Sequence, residues 1–275
     1  MEVKRIIKSI ATLRGIRERY KKRMRDKLMY KQKFIPIHQT QAQDIFVAGF
    51  PKSGNTWMQN LLAGVIYGVD TSILPDRLTQ VLVPDTHQRQ YYKRYLDFAC
   101  FKTHNLPQAH YKKVVYLVRD GRDAMVSYYQ MLKGAGAQYG LEEMVKNGTG
   151  VFPTKWHEHI KAWTKNPYNA SIIQIRYEDL HKQPLIEMRR FCDFAGLDRS
   201  DEILQRSIDG NVFSKMQQKE EKYGWDVGEL KYKFIRKGQV GSFKKGMSEH
   251  IIALFEQEAS EQLIQMGYKP VSGLF

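Results

Sequence analysis

Apolar positions recur along the chain in distinct rhythms, and each rhythm predicts a different element. Over residues 3–28, Val3, Ile6, Ile7, Ile10, Leu13 and Ile16 come at helical spacing, and Tyr20, Met24 and Leu28 continue at steps of four. This predicts a helix with one apolar face and one Lys/Arg face. Pro36 and the polar run Gln39-Thr40-Gln41 predict a boundary before the body begins. From Asp44 to Phe50 the apolar run is nearly continuous, which predicts a buried strand. Pro51 and Gly54 then force a tight segment. From Thr56 a helix follows, with Trp57, Leu61, Val65 and Ile66 on its apolar side and Gly68 near its end.

Val114–Val118 and Ala170–Ile175 predict two further buried strands, the first leading through Arg119–Asp123 into another helix. Residues 185–196 predict a helix stopped by Gly196, and a last helix covers about 248–266. Strands alternating with helices predict an α/β fold. It is read as a single domain with a central parallel sheet flanked by helices. The chain divides into a basic amphipathic arm (1–35) and a body (36–275).

Charge changes the picture of the arm. The chain carries 44 Lys and Arg against 29 Asp and Glu, a net +15, and residues 1–33 alone hold +10 of it. The body is only mildly basic. The arm therefore has three readings: it docks on the body or on a sister subunit, it lies on an anionic membrane, or it binds nucleic acid. Nucleic acid is the least favoured of these. No apolar run approaches a membrane span, and the N-terminus lacks the apolar core of a secretory signal. The two cysteines, Cys100 and Cys192, have no metal-ligand spacing and suit buried thiols of a cytoplasmic protein.

The most informative stretch is Phe50-Pro51-Lys52-Ser53-Gly54-Asn55-Thr56-Trp57. A strand delivers the chain to a turn of backbone N–H groups, and the following helix adds its positive end, so the segment predicts an anion site. Lys52 adds charge, and Ser53 and Thr56 add hydroxyl donors. The pattern is P-loop-like but is not the Walker loop, because the Lys precedes the glycine and the loop is shorter. Arg119, Ser127 and Arg236-Lys237-Gly238 can make a second anion site. Trp57 and Phe213 offer flat faces for an adenine.

The string Pro51–Trp57 resembles the 5′-phosphosulfate loop of the cytosolic sulfotransferase family, usually written PKSGTTW. Six further segments resemble that family in the same order. They are Phe101–Pro107, Val114–Tyr129, Trp156–Trp163, Tyr177-Glu178-Asp179-Leu180, Phe213–Met216 and Arg236–Lys244. The resemblance implies transfer of a sulfuryl group from 3′-phosphoadenosine 5′-phosphosulfate (PAPS) to a hydroxyl or amine. The product nucleotide is then adenosine 3′,5′-bisphosphate (PAP), and no metal is required. It implies His104 as the general base, Lys52 beside the leaving phosphate, Lys102 at the transition-state charge, and Tyr177 near the adenine. It also implies that His159 borders the acceptor pocket.

Three positions depart from the family pattern. Asn55 stands for the usual Thr, and Ser242-Phe243 for Asp-Trp. The segment after Lys244 lacks the family's K-x-x-x-T-V-x-x-x-E dimer motif, which leaves dimerisation open. The acceptor pocket is expected from residues 71–98 and 131–155. Tyr91, Tyr92, Tyr95, Phe98, Tyr139 and Phe152 make it aromatic enough for a phenol, a lipid headgroup or a polyketide alcohol, although aromatics there could equally be core. The acceptor partner itself is expected to be a small molecule, a lipid or a glycan. Two rival functions are a phosphoryl transferase on a similar loop, needing Mg²⁺, and a nonenzymatic membrane or nucleic-acid binder acting through the arm.

Overall fold

The computed structural model describes residues 18, 20–225, 233, 235 and 238–273. Four parallel strands form its sheet: β2 (Ile45–Gly49), β4 (Cys100–Thr103), β5 (Lys113–Val118) and β6 (Ser171–Arg176), in the order β4-β2-β5-β6. Two short strands, β1 (Ile35–Pro36) and β3 (Tyr91–Tyr92), pair antiparallel beside it. The expected fold class is therefore observed.

Alternation along the strands splits the core in two. Ile45 and Val47 of β2, with Val115 and Leu117 of β5, face one side. There they pack against Met58, Leu61, Leu62 and Val65 of α2 (Asn55–Tyr67) and against Met188 and Phe191 of α8 (Pro184–Ala195). Phe46 and Ala48, with Val114, Tyr116 and Val118, face the other side. There they meet helices α4 (Gly121–Gly134), α6 (Trp156–Lys165) and α12 (Glu249–Gln265). This period of two explains why the strands read as continuous apolar runs: both faces are covered. Each fully buried aliphatic side chain stabilises the fold by roughly 1.5–3 kcal/mol. Cys100 and Cys192 are free, buried thiols of the first of these clusters.

The arm behaves differently. Only part of its stripe lies in the described residues, on helix α1 (residues 20–31). There Tyr20, Met24 and Leu28 are 66%, 44% and 56% exposed, so this part of the stripe does not dock on the body. Asp26 accepts a hydrogen bond from Tyr91 Oη, and Arg25 lies over the Tyr91 ring at 5.9 Å. Among the described residues no helix is long and apolar enough to cross a membrane.

Topology fixes where chemistry can occur. After β2 the chain adds β4 on one side and β5 on the other, which opens a crevice at the carboxyl ends of the strands. All four strand ends feed it: β2 into Pro51–Gly54, β4 into His104, β5 into Arg119, and β6 into Tyr177.

Candidate active site

A cleft of about 1020 Å³ opens over these strand ends. That is the upper end of the range for one small ligand, and it leaves room for two. Of the residues expected at a site, Lys52, Gly54, Asn55, Thr56, Trp57, Lys102, His104, Arg119, Ser127, Tyr177, Phe213 and Gly238 all line it. Arg236 and Lys237 lie outside the described residues.

The loop is built by backbone geometry. Lys52 and Gly54 both take left-handed conformations, with φ of 68° and 96°. Helix α2 starts at Asn55 without a side-chain cap and with no acidic residue in its first turn. Its leading N–H groups and its dipole are therefore left for an anionic ligand, with no carboxylate of its first turn in competition. At Gly54 a Cβ would lie 2.8 Å from Tyr177 Cδ2, so glycine is required twice over, by conformation and by space. Ser53 differs from expectation. Its side chain is buried beneath the loop, is not part of the cleft lining, and its Oγ has no partner among the described residues.

Asn55 also turns inward. Its Nδ2 donates to Gly49 O at 3.2 Å. The same carbonyl accepts from His104 Nδ1 at 2.8 Å. A carbonyl can only accept, so the neutral His104 ring carries its proton on Nδ1 and its lone pair on Nε2. Burial, and then the Lys102 ammonium, hold the His104 pKa down to about 4, so the ring is neutral at pH 7.

Lys102 forms an ion pair with Asp85, with Nζ to Oδ2 at 2.8 Å, and lies 3.4 Å from Thr56 Oγ1. Asp85 itself is fixed by backbone pairing along the edge of β4: Lys102 N donates to Pro84 O, and Thr86 N to Lys102 O, both at 2.9 Å. His87 accepts the His104 backbone N–H at 3.0 Å, and the two imidazoles stack at 5.6 Å. Asp85 and His87 fall within the 71–98 stretch expected to line the acceptor pocket, but the sequence singled out neither of them.

The far end of the cleft is aromatic. Trp57 donates Nε1–H to Asn211 O at 3.0 Å and meets Tyr177 edge-on at 5.7 Å. Phe213 begins α10 (Phe213–Tyr223). A Cβ on Gly238 would lie 2.8 Å from the Phe213 ring, and Tyr177 Oη donates to Gly238 O at 3.0 Å. Arg119 is stacked on Tyr177 at 4.4 Å and donates Nη1 and Nη2 to the carbonyls of Lys52 and Gln239. It thus joins the loop to the 238–243 segment, and its Nε has no partner among the described residues. Asp123 completes that join by accepting from Gly241 N, Ser242 Oγ and Phe243 N. Ser242 and Phe243, the departures noted above, are held by this carboxylate, which was within a recognised segment but had no assigned role.

Two expectations fail. His159 is fully buried and does not line the cleft; its Nδ1 lies 2.9 Å from Tyr116 Oη. Of the six aromatic residues expected around the acceptor, only Phe152 lines the cleft. Tyr92 is core, Tyr139 and Phe98 pack against core clusters, Tyr95 lies beside Tyr67, and Tyr91 pairs with Pro36.

The sulfotransferase-domain family model matches residues 42–267. The chain belongs to the sulfotransferase family. Curated relatives of this sulfotransferase include Bos taurus sulfotransferase 1E1, 24% identical over 86% of this chain and 90% of that protein. Another is Arabidopsis thaliana cytosolic sulfotransferase 13, 23% identical over 88% and 82%. Two solved structures share the fold. A mouse sulfotransferase complexed with PAP aligns with TM-score 0.61 and 18% identity, over 82% of this chain and 85% of that one. Retinol dehydratase in a complex with retinol and PAP aligns with TM-score 0.63 and 21% identity, over 82% of each.

Proposed function

We propose that the chain moves a sulfuryl group from PAPS to an acceptor hydroxyl, releasing PAP. The fold neighbours crystallised with PAP, which supports this donor. The α2 N-terminus, Lys52 and Thr56 hold the phosphosulfate end. Arg119, Ser127 and Gly238, with Arg236 and Lys237, hold the 3′-phosphate, and Trp57, Tyr177 and Phe213 enclose the adenine.

The observation that carries this reading is the fixed His104 tautomer beside the phosphate loop. As the acceptor oxygen bonds to sulfur, Nε2 takes the hydroxyl proton. The sulfur–oxygen bond to the 5′-phosphate breaks, and its electron pair leaves on the phosphate oxygen beside Lys52. An anionic donor in the cleft would raise the His104 pKa toward the range a base needs. The phosphoryl-transfer alternative calls for an uncommitted carboxylate to hold Mg²⁺ near the loop. Asp85 is bound to Lys102, and Asp120 to Arg122, which favours sulfuryl transfer. Calorimetry decides: PAP should bind without metal and more tightly than ATP. Tight ATP binding that appears only with Mg²⁺ would overturn the proposal.

The outward face of α1 supports a second role. Tyr20, Met24 and Leu28 are exposed on a strongly basic helix, a combination suited to an anionic membrane surface. Anionic vesicles should sediment the full chain and leave a chain starting at Pro36 in solution. Equal sedimentation of the two removes the arm from that role.

A further inference from the structure

The acceptor end of the cleft is polar where an aromatic wall was expected. Gln59, Asp76, Gln80, Asp85 and Gln88 line it, with His87 and Phe152 at the side of His104. Its hydrogen bonds are already partly assigned. Gln59 donates to Val83 O, and Gln80 Nε2 donates to Asp76 Oδ2 at 2.8 Å and to Gln88 Oε1 at 2.7 Å. Gln80 is only 3% exposed, yet its Oε1 has no partner among the described residues. A buried acceptor of this kind calls for a donor from the ligand.

The charges decide between an ammonium and a hydroxyl. Both carboxylates already face cations. Asp85 binds Lys102, and Asp76 is coupled electrostatically to the buried Lys219 ammonium, which also donates to Asn60 and Thr79. The wall therefore has hydrogen-bonding capacity but little spare negative charge for a cationic ligand. Phe152 adds the remaining element. It is 47% exposed, meets His87 edge-on at 5.3 Å, and presents an apolar face for C–H groups.

We infer that the acceptor is a saturated ring bearing several hydroxyls, as in a pyranoside, read by Gln80 and its amide–carboxylate neighbours and stacked on Phe152. The inference rests on the sulfotransferase reading above and specifies its acceptor. One hydroxyl is directed to His104 while a neighbouring one donates to Gln80 Oε1. An apolar alcohol or a simple phenol would bury Gln80 Oε1 without a donor, and sites of this kind discriminate strongly against such analogues.

The test is transfer of labelled sulfuryl from PAPS by the full chain. The probes are methyl α-D-mannopyranoside and methyl β-D-galactopyranoside, set against 4-nitrophenol and 1-octanol. The glycosides should exceed both counter-probes in kcat/KM by about 10⁴-fold, in line with hydroxyl-reading sites. Gln80→Leu should raise the glycoside KM about tenfold with kcat nearly kept, the effect of one lost buried contact. Phe152→Ala, at an exposed position that does not threaten folding, should raise it as well. In both variants the Kd for PAP should be unchanged. Preference for nitrophenol or octanol, no glycoside transfer by protein that binds PAP, or an unmoved glycoside KM in both variants overturns the inference alone. Failure of the wild-type chain to bind PAP overturns the sulfotransferase reading, and this inference with it.

Discussion

The two ends of the cleft are made on different plans. At the proposed donor end, backbone shapes the site: left-handed Lys52 and Gly54, an uncapped helix start, and Gly238 against Phe213. At the proposed acceptor end, side chains do so: Lys102 with Asp85, His104 with His87, and Gln80 with Asp76 and Gln88. Backbone devices need particular residues at fixed offsets in one short string. Side-chain networks draw on groups from several elements and leave no such string. The donor end is thus set by local sequence and the acceptor end by tertiary packing.

The comparison is tested hardest at His104, where the two ends meet. His104→Ala should lower kcat about 10²- to 10⁴-fold, the usual worth of a general base, with PAP affinity nearly unchanged. Stopped-assay rates and calorimetry on one preparation measure both. Equal losses in kcat and in PAP affinity would show that the two ends are not separable.

Acid should act on the acceptor side first. The donor end relies on Lys and Arg, which stay charged through mild acid. On the acceptor side burial lowers His87 and His104, and behind it burial holds His159 down to about 3. Unfolded, these histidines take protons near pH 6.5. Folded, His159 does not, so its contribution to stability is complete above about pH 6.5 and is lost as pH falls toward 3. The slope is roughly 1.4 kcal/mol per pH unit for a fully buried histidine. His104 adds less, because the cleft reaches it. Urea unfolding at pH 7 and pH 5 should differ by about 2 kcal/mol, and a flat profile would remove this asymmetry.

The smallest effect is expected at Gly54. An alanine there meets a left-handed φ and the Tyr177 ring, so PAP binding should weaken by about tenfold, the scale of 1–2 kcal/mol of backbone strain. Glycoside KM, measured at saturating donor, should hold. If KM moves as much as PAP affinity does, the loop reaches further than its own backbone.

The same division governs how much could be read from sequence. Strands β2 and β5 were legible because both their faces are apolar, the edge strand β6 through Ile172, Ile173 and Ile175, and α2 because Gly54 and Gly68 bracket its stripe. Most of the residues expected to hold the donor, Lys52, Gly54, Trp57 and Arg119 among them, do line the cleft. Ser53 was misread, since a hydroxyl within an anion loop can point into the protein as easily as out of it. Around the acceptor, aromatic content misled. Tyr92, Tyr139 and Phe98 serve the core, and from the expected 71–98 stretch it is the polar side chains of Asp76, Gln80, Asp85, His87 and Gln88 that reach the cleft, placed by pairing of Pro84–Thr86 with the edge of β4.

Asp123 has a consequence for the order in which the molecule comes into being. Its three bonds reach residues 118 to 120 positions further along the chain. Closing so long a loop adds little to its entropic cost, which grows only with the logarithm of length. The delay is in time. At about 5–20 residues per second, the ribosome needs on the order of ten seconds to carry the chain from Asp123 to Phe243. For that interval the phosphate loop, α2 and His104 already exist, while the far wall of the nucleotide cleft does not. A chain made only as far as Asp123 lacks the 238–243 segment, so under the function proposed above it could not yet close on the nucleotide.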